Sequence, residues 1–172
     1  MMHAFRGALR LACVLAVALP TFAYGEPSDL VPPQGTETRG GARSAVVGSQ
    51  GRTVAIARSY IGKNPTGHAY LWCARFLNVV EKKAGRPGTG SAHSSSFLKY
   101  GQRVSRSAAR PGDIVYRPRR GGGHVELFVR WADQGRTRYV AISGNSCGKR
   151  GKRYVCEVTR TVSGAHRFVR PR

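Results

Sequence analysis

The chain has 172 residues, room for one domain with appendages and not for several. Its 29 Lys and Arg against 8 Asp and Glu give a formal charge of +21, which leaves nucleic acid, anionic membrane and anionic cell-wall polymer open as partners. The basic residues are scattered along the sequence rather than gathered in one run, so the charge alone is equally compatible with plain solubility.

The N-terminus reads MMHAFRGALR, then the apolar run LACVLAVAL, then PTFAYG. A basic start, a short apolar stretch and small residues at Ala23 and Gly25 predict a signal peptide over residues 1–25, cut after Gly25. The run is too short for a permanent membrane span, and Arg10, close before Cys13, argues against lipidation there. An exported protein in a disulfide-permissive compartment, periplasmic or extracellular, is the expectation. Removing residues 1–25 leaves 27 basic against 8 acidic side chains, or +19. Residues 26–51 are rich in Pro, Gly, Ser and Thr without an apolar period, which predicts a disordered linker. Residues 52–172 form the expected globular domain, which we take to be a monomer.

Val54, Ile56, Ala57, Tyr60 and Ile61 have helical spacing and Gly62 closes that helix. KNPTGHAY (63–70) reads as a loop. Phe76, Leu77, Val80 and Ala84 make one apolar stripe ended by Gly85, and Cys73 lies at its N-terminal tip. No Ser, Thr, Asp or Asn at residues 70–72 caps this helix. A third short helix is predicted over 94–100. DIVYR (113–117), HVELFVRW (124–131), RYVAIS (138–143), YVCEVTR (154–160) and HRFVR (166–170) read as strands, with DQGR (133–136) as a hairpin turn. Helices first and antiparallel strands after is an α+β pattern.

The cysteines point to chemistry. Cys13 falls in the signal. Cys147 and Cys156 are near enough in sequence to pair as a disulfide that staples a C-terminal hairpin, with a bond from Cys73 to one of them as the alternative. Otherwise Cys73 is left as an odd thiol, a candidate nucleophile if a histidine can activate it, or else a small buried hydrophobe. Of five histidines, His124 opens a strand after GGG (121–123). A hairpin centred on DQGR sets Trp131 opposite Arg138 and His124 opposite Asn145, so an amide could fix the imidazole. Glu126, on the same strand face, is the competing orienting group. A one-residue slip would destroy this pairing. Tyr70 and Trp72, beside the thiol, are candidates for a substrate-binding cleft wall or for the core.

LWCARF (71–76), GTGSAHSSSFLKYG (88–101), RPGDIVYR (110–117), GGGHVELFV (121–129) and ISGN (142–145), in this order and spacing, resemble the NlpC-type cell-wall cysteine peptidases and their CHAP relatives. The likeness covers roughly residues 54–146. It implies a papain-like α+β fold, with N-terminal helices packed on an antiparallel sheet, that cuts peptide or amide bonds in peptidoglycan. By matching motif it implies Cys73 as nucleophile, His124 as general base then acid, and Asn145 as orienting residue. The bare glycine triplet with Arg-rich flanks, and the segment after Asn145 with its cysteine pair, depart from the family pattern.

Two other classes remain open. One is a catalytically degenerate module of the same fold that binds wall or polyanion. The other is a secreted nuclease or toxin, against which no alternation of aromatic and basic residues is visible. No metal site is expected, because Cys147 and Cys156 are too far apart for a Cys-x-x-Cys knuckle and no histidine pair has ligand spacing. GGGH precedes a strand rather than a helix, so no phosphate loop and no cofactor are expected.

Overall fold

A computed structural model describes residues 40–172, with side chains from Gly48 onward. The predicted signal peptide and the first part of the predicted linker lie outside the described residues. Two α-helices, α1 (Gly40–Arg58) and α2 (Cys73–Lys83), precede six strands. These are β1 (Gly101–Val104), β2 (Ile114–Arg119), β3 (Gly122–Trp131), β4 (Arg138–Lys149), β5 (Lys152–Thr161) and β6 (Arg167–Pro171). A 3-10 helix at Ser94–Lys99 and a shorter one at Arg106–Ala108 complete the set. The strands form one antiparallel sheet in the order β1-β6-β2-β3-β4-β5. The α+β class and the helix-then-strand order agree with the sequence reading.

Three differences have physical reasons. Residues 40–51, assigned to the linker by composition, are the first turns of α1, and Gln50 is buried, its Nε2 3.4 Å from Asp113 Oδ1. Tertiary contact there outweighs weak local propensity. Second, α1 ends at Arg58, and Ile61 instead forms an isolated bridge to Val155 of β5. Third, β1 adds a strand that the sequence does not announce, because its four residues GQRV carry little alternation.

Strand alternation makes two cores. Val125 and Leu127 of β3 and Ile142 of β4 face Phe76, Leu77 and Val80 of α2, all fully buried. Burying each such side chain contributes about 1.5–3 kcal/mol. Phe128, Tyr139 and Phe168 fill the opposite face, with Phe128 stacked on Tyr139 at 6.1 Å. The Pro-Gly-Asp turn is a structural knot. Buried Asp113 accepts two bonds from Arg170 (3.0 and 2.9 Å) and one from the Arg110 backbone N–H (2.8 Å), which ties β2 to β6.

The β3–β4 register departs from a turn centred on DQGR and then returns to it. Asp133 folds back to accept the backbone N–H groups of Thr137 (2.8 Å) and Arg138 (2.7 Å). Trp131 therefore opposes Tyr139, not Arg138. An irregularity between Phe128 and Arg130 takes up the slipped residue, so that Leu127 opposes Ile142. That pairing belongs to the register expected for a turn centred on DQGR. The bulge thus returns each apolar residue to its own face.

Candidate active site

The sequence sets Cys73 as the first residue of α2, and the stripe below it drives that helix onto the sheet. Trp72 flanks the helix start without a side-chain cap, as the absence of Ser, Thr, Asp and Asn implied. The first backbone bond of α2 runs from Phe76 N–H to Trp72 O (2.9 Å), which leaves the N–H groups of the first turn without helical partners. Two glycines let the neighbouring strands come close. A Cβ at Gly144 would stand 2.7 Å from Phe76 Cβ, so β4 can pass against α2 only without one. A Cβ at Gly123 would collide with the Tyr116 ring, which is why the residue before His124 is bare. Asn78 of α2 pins the Gly-Thr-Gly-Ser stretch. Its Oδ1 accepts from Thr89 N–H (2.7 Å) and Gly90 N–H (3.2 Å), and its Nδ2 donates to Ser91 O (2.8 Å).

These contacts gather one cavity of about 490 Å³ whose lining includes Cys73, His124, Asn145, Tyr70, Arg119 and Gly121–Gly123. Cys73 is a free, buried thiol, and no hydrogen bond joins it to His124. An adjoining cavity of about 300 Å³ shares His68, Arg75 and Ala92 with the first.

His124 is held first by two serines that the sequence reading did not name. Its Nε2 lies 2.6 Å from Ser143 Oγ and 3.3 Å from Ser146 Oγ, and the two hydroxyls are 2.5 Å apart. Glu126 Oε2 is 3.5 Å from the same nitrogen. Nδ1 has no hydrogen bond from the described residues. Burial first, then the positive field of Arg119, Arg117, Arg160 and Arg153, holds the His124 pKa well below the ordinary 6.5. The imidazole is therefore neutral at pH 7, a free base rather than an imidazolium.

Asn145 reaches the cavity but makes no hydrogen bond to the ring. Its backbone adopts φ 59°, the β3–β4 ladder has already ended at Leu127 and Ile142, and its Oδ1 is buried without a partner. The αL conformation of Asn145 and the register shift in β4 between Ser143 and Cys147 put the Ser143 hydroxyl in the place that simple hairpin pairing gives to the amide. A serine two residues before Asn145 in the alternating strand is the signal that could have suggested it.

Glu126, the competing orienting group, stands beside the ring inside a buried cluster. Its Oε1 accepts from Tyr139 Oη (2.6 Å) and Arg117 Nε (3.1 Å), and Arg160 Nε is 3.6 Å from Oε2. Of the two aromatic candidates, Tyr70 lines the cavity and is 56% exposed, whereas Trp72 is fully buried in the core. The helix stripe needs a large residue under Phe76, and Trp72 meets its ring edge-on at 6.5 Å. Cys147 and Cys156 are bonded, 6.0 Å apart at Cα. Among the described residues no helix is long and apolar enough to cross a membrane. No family model matches the chain, and no curated protein or solved structure gives a significant match.

Proposed function

We propose that the protein is an exported cysteine hydrolase of papain-like fold that cuts peptide or amide bonds in peptidoglycan. The observation that carries this is the meeting of a helix-tip thiol, Cys73, and a neutral buried imidazole, His124, on one cavity. His124 Nδ1 takes the thiol proton, and the thiolate attacks the peptide carbonyl. The carbon–nitrogen bond breaks as His124 returns that proton to the leaving amine. Water, deprotonated by the same nitrogen, then hydrolyses the thioester and restores the thiol.

In this reading Nε2 keeps its hydrogen throughout and donates it to Ser143 Oγ, which donates in turn to Ser146. Ser143 is the positioning residue, with Glu126 behind it. The charge that builds on the carbonyl oxygen meets unpaired backbone N–H groups at the start of α2 and the field of nearby arginines. Asn145 is left free to contact the substrate, and Tyr70 forms one wall of its channel. The depressed pKa of His124 suits it to act as a base at neutral pH without first losing a proton.

The test is to incubate the protein with purified peptidoglycan and with a small neutral stem peptide, and to identify the released fragments by mass. Cleavage that iodoacetamide abolishes, and from which substrate protects the thiol, supports the reading. A folded protein with free Cys73 that cuts neither substrate, while Cys73→Ser binds walls equally well, replaces it with a wall-binding module. The lack of a Cys73–His124 hydrogen bond favours that second reading.

A further inference from the structure

The fold collects charge that the sequence scatters. In the antiparallel order β2-β3-β4-β5, the β2–β3 and β4–β5 turns emerge at the same end of the sheet, and the β3–β4 turn at the other. The first of these turns carries Arg119 and Arg120, and the second carries Lys149, Arg150, Lys152 and Arg153. None of the six makes an ion pair among the described residues. The five described acids are engaged elsewhere. Glu81 pairs with Arg86, Asp113 with Arg170, Glu126 with Arg117 and Glu157 with Arg58, while Asp133 closes the turn at the opposite end.

Both turns reach the reactive cavity. Arg119 and Gly121–Gly123 line it directly. The other turn folds over Tyr70, with the Arg150 guanidinium 6.0 Å from that ring, and Arg153 Nη1 donates to Asn145 O at 3.2 Å. Arg119, Arg150 and Arg153 thus stand at or beside the cavity, Arg120, Lys149 and Lys152 share their two turns, and the described lining holds no acid; we call these six cations the rim.

We propose that this rim binds the phosphodiester backbone of an anionic wall polymer and so holds the protein against the wall with the Cys73 cavity facing it. The choice of a wall polymer rests on the function proposed above; the cationic rim does not. A single anion would engage one turn, whereas six cations spread over two turns fit a repeating anion. Guanidinium forks match phosphate oxygens two at a time. Each phosphate neutralised releases counterions, so binding steepens with falling salt in proportion to the number of phosphates engaged.

The test uses the full chain carrying Cys73→Ala, so that binding is read without turnover, on purified walls with their phosphate polymer intact or chemically stripped. Intact walls should bind at least about 10-fold more tightly, and the slope of log affinity against log salt should be several units. Arg119→Gln with Arg120→Gln, and separately Lys149→Gln with Arg150→Gln and Lys152→Gln, should each reduce that slope by about 0.7 for every phosphate no longer neutralised. Arg52→Gln with Arg103→Gln, which removes as much charge as the Arg119/Arg120 variant but outside the rim, should leave binding within about twofold. Equal binding to stripped walls, or an equal reduction in the Arg52/Arg103 control, overturns the proposal. Competition by single-stranded DNA at lower concentration than by the released wall polymer reassigns the rim to nucleic acid and overturns it as well. Selective binding of intact walls by a protein that cleaves nothing would keep the rim and remove the hydrolase.

Discussion

Two fully buried glutamates, each bonded to an arginine and a tyrosine, have very different surroundings. Glu81 on α2 is saturated. Arg86 donates to both of its oxygens (2.5 and 3.0 Å), Tyr100 donates at 3.0 Å, and Arg86 continues to Thr53 Oγ1 at 2.9 Å. Glu126 on β3 has one oxygen satisfied by Arg117 and Tyr139, and the other makes no hydrogen bond while facing His124 and Arg160. The two clusters share a composition. Only the second leaves buried acceptor capacity beside a titratable ring, the feature on which the proposed site rests. Each tyrosine is pushed upward, first by burial and then by its glutamate, Tyr100 to about 12 and Tyr139 further.

The largest expected effect tests whether the Glu126 side of the molecule is a site at all. Cys73→Ala should lower peptide cleavage by about 10⁴-fold or more, as loss of a nucleophile does, with thermal unfolding little changed. Residual turnover above a hundredth of wild type would mean that Cys73 is not the nucleophile.

The glutamates themselves come next. Glu81→Gln and Glu126→Gln each take the charge partner from a partly buried arginine and should each cost about 3 kcal/mol in chemical denaturation. Below the unfolding transition, Glu81→Gln should keep the turnover number, while Glu126→Gln should lower it. Equal turnover in both variants would make Glu126 as purely structural as Glu81.

The Cys147–Cys156 bond lies on the Glu126 side only, where it closes the β4–β5 hairpin just beyond Ser146. Its reduction should cost roughly 2.5–3 kcal/mol for a loop of about ten residues. It should lower activity while leaving hydrogen exchange of α2 amides around Glu81 the least affected. Uniform loss of protection across the domain would show one cooperative unit instead.

Ser143 sharpens the assignment of the orienting group. Ser143→Ala should lower the turnover number by about 10-fold or more and shift the pH profile, because the ring loses the partner that fixes its tautomer. Asn145→Ala should act mainly on KM. The reverse pattern would return the orienting role to Asn145.

The smallest effect is on pH. His124 and His166 both have pKa values lowered from 6.5, first by burial. Below pH 6.5 the unfolded chain therefore binds protons that the folded chain refuses. Their contribution to stability is full above about pH 6.5 and declines as pH falls through the window between that value and each folded pKa. The acid limb of kcat/KM should lie below 6.5 for the same reason. An acid limb above 7 would mean that His124 is charged in the free protein.

How much of this was legible in the sequence depended on the range of the contacts involved. Alternation over HVELFVRW and RYVAIS, the stripe from Phe76 to Val80 and the spacing of Cys147 and Cys156 are local patterns. Five of the six strands, the position of Cys73 at a helix tip and the preferred pairing of Cys147 with Cys156 could therefore be read there. The cavity also joins Cys73, His124, Asn145 and Tyr70 as the quoted segments suggested. The partner of the imidazole could not be read, because it hangs on the end of the β3–β4 ladder at Leu127 and Ile142, the register shift in β4 after Ser143 and the αL turn at Asn145. No composition at these positions announces that change.

The sequence by itself determined an α+β chain with its thiol at a helix start, because periodicity and end signals act over a few residues. Only the tertiary structure decided that Trp72 belongs to the core, that Ser143 rather than Asn145 meets His124, and that six scattered cations share one rim. Those outcomes depend on which strands lie side by side. Pairing between residues such as His124 and Ser143, 19 apart in the chain, is set by the packing of two whole faces against each other and not by any local preference.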